Sequence, residues 1–449
     1  MLENLLLNSK ISNELYNYAK QLPIIDYHNH LSLSDIREDK RFDDVYDLWI
    51  KPDPYKHRAM RMCGVPEEYI SGCASPEEKF IKWCETIPKL MGNPLYHWSL
   101  MELSMVFGIQ DLPSGENAKS IYERCNAYLK EQVVSVSTLL DQFNVEFACP
   151  CVSLTDDVDM FEDSERFAPS LRGDDIVNLS VEFIQKMERV LHMNIRDLQT
   201  FQSAVTQRLL LLKKCGCVFV DHALDNGFTY YEDDRKNEKR FARLLKGKLD
   251  GAEKEKLSSY LLRFLCGEYA RLQLVVQLHI GAQRYTSSKL REQVGPAGGF
   301  AGIGNSVDVM SLTSFLDAVD RSEYGLPKIV LFTLNPADNA LISVLSGSYS
   351  KDGVDGLITQ GPAWWWCDHK LGIEDMLENA AAFSALSNFI GMTTDSRSFL
   401  SFVRHDYFRR ILCNWIGEKI EKGEWVSPDE HVKDLLERLC YGNAKKQFS

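Results

Sequence analysis

The chain has no long apolar run, no glycine-rich phosphate turn, no cysteines at metal-ligand spacing and no concentrated basic field, and each absence removes a class of function. Without an apolar stretch able to cross a bilayer, an α-helical membrane protein is not expected. The first twenty residues, Met1 to Lys20, mix acidic and amide side chains among leucines and carry neither a basic leader nor a small-residue cleavage site. A cytoplasmic, reduced protein is therefore expected. Lys and Arg number 51 against 64 Asp and Glu, a net charge of -13. Binding a polyanion requires a basic surface, so neither nucleic acid nor an anionic membrane is an expected partner. The 12 cysteines show no metal-ligand spacing; Cys149/Cys151 and Cys215/Cys217 lie inside apolar runs, where a buried structural thiol is the expected reading.

What is present is a globular composition, 45% hydrophobic and 26% charged over 449 residues, enough for a large core. Short apolar runs alternate with helix-patterned stretches: Ile24 to Tyr27, Val145 to Cys149, Cys217 to Val220, Gln273 to Leu278, Lys328 to Leu334 and Phe389 to Thr393. Strands of that length between helices imply βαβ units and a parallel sheet. The runs finish in His28/His30, Asp221-His222, His279, Asn335 and Asp395, which is how the catalytic end of a (β/α)8 barrel reads. A doubly wound sheet would call for a glycine-rich turn after its first strand, and none is there. Two of the eight strands have no clear run. The helical stretch after the first strand is too long for one βα connection and is expected as an insertion over the barrel mouth. The expected divisions are 1–31 for the N-terminal helix and first strand, 32–140 for the insertion and 141–449 for the rest of the barrel.

Within Leu22-Pro23-Ile24-Ile25-Asp26-Tyr27-His28-Asn29-His30-Leu31, two histidines stand one residue apart where a strand stops. Alternation along a strand sends both imidazoles to one face, where they suit zinc, manganese or iron. Asp395 follows the last run, and the first and last strands of a closed barrel are neighbours, so its carboxylate can complete that site or simply cap a helix. Arg397 and Arg172 offer planar forks for an anionic group, though a lone arginine is commonly a surface charge. Tyr55, among prolines and basic residues, can relay a proton or pack. Trp364, Trp365 and Trp366 can form a sugar platform, anchor a loop or fill a core. Gly295 to Gly304 reads either as a mobile loop near the active end or as a plain surface connection.

In this order, the segments Asp26-Tyr27-His28-Asn29-His30-Leu31, Tyr46-Asp47-Leu48-Trp49, Arg58-Ala59-Met60-Arg61, Gly92-Asn93-Pro94-Leu95-Tyr96-His97-Trp98, Asp221-His222-Ala223-Leu224-Asp225, His279-Ile280-Gly281-Ala282, Leu334-Asn335-Pro336, Trp364-Trp365 and Thr394-Asp395-Ser396-Arg397 resemble the uronate isomerase (glucuronate isomerase) family, a divergent branch of the amidohydrolase superfamily. The resemblance spans nearly the whole chain. It implies a metal-dependent (β/α)8 barrel that interconverts D-glucuronate with D-fructuronate and D-galacturonate with D-tagaturonate. It implies His28, His30 and Asp395 as ligands of one divalent ion, zinc before manganese or iron, and Arg172 and Arg397 as a clamp for the substrate carboxylate. Tyr55 becomes the proton shuttle, while Asp221, His279 and Trp364 match further active-site positions; on chemical grounds Asp395 is then the best base, alone or through a metal-bound oxygen. Asn29 replaces the cysteine of many relatives and is expected to point away from the metal. The partner is a sugar acid, with a homo-oligomer left open. Two rivals remain: a metal-dependent hydrolase of the same superfamily, for which no run ends in the bridging lysine it needs, and a catalytically idle sugar-acid-binding protein.

Overall fold

The computed structural model describes residues 2–426 and 429–448. Seven parallel strands form one curled sheet in chain order: β1 (Ile24–Asn29), β2 (Val145–Val152), β3 (Ser170–Arg172), β4 (Phe219–Leu224), β5 (Val275–Ile280), β8 (Ile329–Thr333) and β9 (Ile358–Gln360). After β5, β6 (Ala282–Gln283) and β7 (Gly302–Ile303) make a short antiparallel ribbon. Spatial order that follows chain order, with helices between the strands, is the arrangement of a (β/α)8 barrel. β3 and β9 are the two strands that had no clear run; three residues each leave little pattern to detect.

The eighth position differs from expectation, because Phe389–Thr393 is not a regular strand. The segment still lies along β1, where Asp395 N donates to His28 O at 3.1 Å and His30 N donates to Ser396 O at 2.8 Å. A buried carboxylate explains the irregularity. Asp26 of β1 accepts the Thr394 amide at 2.7 Å, the Thr394 hydroxyl at 2.8 Å and the Thr393 hydroxyl at 3.0 Å, so side-chain bonds stand where a backbone ladder would run.

The barrel interior is filled at its lower levels by Ile25, Tyr27, Cys149, Phe219, Val275, Val330 and Phe332. Leu209, Leu261, Leu265 and Phe315 belong to a second apolar layer formed with the surrounding helices. Each such side chain contributes about 1.5–3 kcal/mol by leaving water. Between β1 and β2 come the helices Leu33–Arg37, Val45–Trp49, Pro54–Met62, Pro76–Thr86, Pro94–Phe107, Ala118–Glu131 and Val136–Gln142. Their apolar side chains, among them Trp49, Trp83 and Trp98, join Tyr407 and Ile411 of the helix Val403–Glu421 in one continuous cluster. No helix among the described residues is long and apolar enough to cross a membrane.

Candidate active site

The strand ends open into a cavity of about 360 Å3 lined by His28, His30, Tyr55, Arg172, His279, Trp364, Asp395 and Arg397, among others. That volume falls in the range of small-molecule sites. His28 sits in β1, where the register shifts between Asp26 and Asn29. An irregularity of this kind re-aims side chains, and it lets His28 follow the interior Tyr27 and still face the cavity. Asn29 turns away, donating to Asp26 at 2.9 Å.

Both imidazoles converge on one carboxylate oxygen. His30 Nε2 lies 3.1 Å and His28 Nε2 3.4 Å from Asp395 Oδ1. Burial opposes ionisation of Asp395, but hydrogen bonds from His28 and His30 outweigh it and hold the carboxyl well below its ordinary range. Burial likewise disfavours a charged His28, yet the Cys151 sulfur and the Asp395 and Asp221 carboxylates raise its pKa well above normal. Asp395 has a φ of 44°, a left-handed conformation rare outside glycine, held by the backbone bonds to β1.

β4 and β5 supply the opposite wall. Asp221 is fully buried, with Oδ1 3.9 Å from His28 Nδ1 and Oδ2 3.8 Å from His279 Nδ1 and 3.5 Å from Arg172 Nη1. Asp221 Oδ2 and His279 Nε2 are buried without a hydrogen-bond partner. Burial and the neighbouring His28 press the His279 pKa well below normal, so its ring is neutral. That ring stacks on Phe332 at 4.5 Å and lies 4.7 Å from Trp364, whose indole donates to Asp395 Oδ2 at 2.8 Å. His222 takes the other face of β4 and meets Tyr269 Oη at 2.9 Å, outside the cavity. Asn335 caps the turn after β8 and belongs to the scaffold.

Tyr55 enters from the helix Pro54–Met62. Pro54 at the first helical position and Asp53 as cap, accepting from the Tyr55 amide at 2.9 Å, fix where that helix starts. Lys56 Nζ locks the cap through a buried 2.7 Å ion pair with Asp53. The Tyr55 hydroxyl has no partner, and its ring lies under the Arg404 guanidinium at 4.8 Å. Burial, opposed by Arg404, raises the phenol well above its usual pKa and keeps it protonated. The two arginines differ in state: Arg172 pairs with Asp174 at 3.0 Å, whereas Arg397 is exposed at the cavity edge. The glycine-rich loop does border the cavity through Pro296, Gly299 and Ala301; Arg58 fastens it by donating to Gly299 O at 3.0 Å and Ala301 O at 3.1 Å.

Cys151 is the residue that sequence reasoning misplaced. Its Sγ lies 3.6 Å from His28 Nδ1 and 3.8 Å from Asp221 Oδ1. Cys149, on the same strand face two residues earlier, is core as expected. The missed signal was position: Cys151 is the inward residue at the end of its run, as His28 and Asp221 are of theirs. Among the described residues, two groups of three donors lie within 4.8 Å of one another: His28, His30 and Cys151, and His28, Asp221 and His279. Such His, Cys and Asp clusters offer a metal-binding site.

Strands, insertion and donor cluster together define a barrel enzyme of the amidohydrolase kind. The model of the glucuronate isomerase family matches residues 1–448, and the chain belongs to that family. A uronate isomerase of Geobacillus thermodenitrificans is 39% identical over 461 residues, covering 99% of this chain and 98% of the relative. One from Bacillus licheniformis is also 39% identical, over 459 residues, covering 99% and 97%. The crystal structure of the Thermotoga maritima uronate isomerase superposes with a TM-score of 0.92 at 31% identity, covering 100% of this chain and 99% of that one. The Caulobacter crescentus glucuronate isomerase, at 22% identity, shares the fold with a TM-score of 0.90 over 99% and 96%.

Proposed function

We propose that this enzyme interconverts aldehyde-form and keto-form uronates, D-glucuronate with D-fructuronate and D-galacturonate with D-tagaturonate. The observation that carries the reading is the convergence of His28 and His30 on Asp395 Oδ1 in a cavity that also holds Tyr55 and Arg397. The donor set fits one divalent ion: His30 and His28 stand 3.1 and 3.4 Å from Asp395 Oδ1, beside a buried His279 nitrogen that lacks a hydrogen-bond partner. Zinc matches this chemistry best, with manganese and iron as alternatives. A divalent ion held by His28, His30 and Asp395 would supply Lewis-acid stabilisation of the negative charge that develops on the enediol.

Arg397 and Arg172 grip the carboxylate at carbon 6, and binding energy spent there places carbons 1 and 2 at the other end. Asp395 removes the proton from carbon 2. A carboxylate held this far down is a weak base, so its contribution comes from position rather than basicity. Tyr55, protonated and without a resting partner, donates to the oxygen on carbon 1 as the enediol forms. Asp395 then returns the proton to carbon 1, while Tyr55 recovers one from the oxygen on carbon 2. Neutral His279 and the Trp364 face hold the sugar chain between these groups. The test is turnover of both uronates against a panel of amides and esters, before and after chelation. Chelator-sensitive isomerisation without hydrolysis supports the reading, and hydrolysis without isomerisation overturns it.

A further inference from the structure

We propose that the thiolate of Cys151 is a donor to the same divalent ion as His28 and His30, which gives this chain a sulfur-containing metal site. The inference rests on the ion site proposed above and extends it by one ligand. Zinc bonds of about 2.0–2.1 Å to nitrogen and about 2.3 Å to sulfur put tetrahedral nitrogen and sulfur donors about 3.6 Å apart. Cys151 Sγ stands 3.6 Å from His28 Nδ1, and the donor atoms of Cys151, His28 and His30 all lie within 4.8 Å of one another. The same geometry gives a nitrogen–oxygen edge of about 3.4 Å, against 3.1 Å from His30 Nε2 to Asp395 Oδ1.

A buried carboxylate shares the Cys151 side: Asp221 Oδ1 lies 3.8 Å from the Cys151 sulfur and 3.9 Å from His28 Nδ1. One imidazole gives one nitrogen to an ion, so His28 serves here through Nδ1, the atom that faces Cys151. Cys151 pairs through β2 with Ser170 of β3, so the sulfur sits on regular sheet. A soft donor there favours zinc over manganese, which prefers oxygen ligands.

X-ray absorption at the zinc edge of the zinc-loaded full-length protein tests this, with Cys151→Ser and the core control Cys149→Ser measured beside it. The expected result is one sulfur at about 2.3 Å in the parent and in Cys149→Ser, lost in Cys151→Ser, whose zinc affinity drops at least about tenfold. A shell of nitrogen and oxygen alone in the parent overturns the sulfur ligand while leaving the ion site in place. A sulfur shell that survives in Cys151→Ser also overturns it. If the parent retains no zinc, both the sulfur ligand and the ion site fall. The parent spectrum alone decides the matter should a variant fail to fold.

Discussion

The indole N–H of Trp364 donates to Asp395 Oδ2 at 2.8 Å, leaving Oδ1 of the same carboxylate to the two histidines. The proposed base is therefore held at both oxygens, and its orientation depends on a residue from a different loop.

Trp364→Phe keeps an aromatic face against His279 but removes the donor. A hydrogen bond to a charged group contributes about 1.5–3 kcal/mol, which corresponds to a fall in kcat of about 10- to 100-fold. Metal content should stay near the parent's. Steady-state kinetics with metal analysis checks both, and an unchanged kcat would reduce Trp364 to a packing residue.

Arg397→Lys retains the charge and loses the planar fork. KM for the uronates should rise about tenfold with a smaller effect on kcat, since the lost contact is remote from the reacting carbons. If KM is unchanged and neutral aldoses are still rejected, the carboxylate is held elsewhere.

Asp26→Asn tests how the barrel closes. The Asp26 carboxylate accepts three donors from Thr393 and Thr394 and meets His405 Nε2 at 3.2 Å, all buried. An amide cannot accept all of them, and each unsatisfied buried donor costs about 1–3 kcal/mol. Urea unfolding at neutral pH should show that loss, together with weaker metal retention because the same segment carries Asp395. A variant as stable as the parent would contradict the closing role.

Asp368 predicts a pH dependence. It is 3% exposed, with Oδ2 3.8 Å from Arg404 Nη1; burial, opposed by Arg404 and reinforced by Asp395, pushes its carboxyl from 3.8 to about 7. The folded state thus binds this proton more tightly than the unfolded chain. Its contribution to stability is greatest below pH 3.8, declines as pH rises to about 7 and is flat above. Asp368→Asn removes the titration, so relative to the parent it should be more stable at pH 8 than at pH 5. Denaturant unfolding at both values checks this, and an equal difference at the two would contradict it.

The sequence was most legible where strand alternation and strand ends coincide. β1, β4 and β5 each run a residue or more beyond their apolar cores, because a barrel mouth accepts His28 and His279 as inward residues, with Asp221 packed beside both rings. β3 and β9 are too short to carry a period, and the eighth run reads as a strand although Asp26 takes its donors. The triad of His28, His30 and Asp395 was legible because the first and last strands of a closed barrel adjoin. Cys151 was not, since an apolar C-x-C run looks the same whether its last sulfur packs in the core or lies beside His28 and Asp221. The partners of Arg172 and the freedom of Arg397 lay equally beyond local pattern, as they depend on Asp174 and Asp221 arriving from other segments.

The most direct measurement is turnover of metal-loaded Asp395→Asn with D-glucuronate, alongside deuterium uptake from D2O at carbon 1 when the parent runs from the keto-uronate. Asparagine keeps the shape and one oxygen for the ion but cannot accept a proton. The account predicts a rate loss of at least about 10² to 10⁴, with metal still partly bound, and some solvent deuterium at carbon 1 in the parent. Near-normal turnover by the metal-loaded variant would contradict Asp395 as the base and move that role to another group, with Tyr55 the next to test.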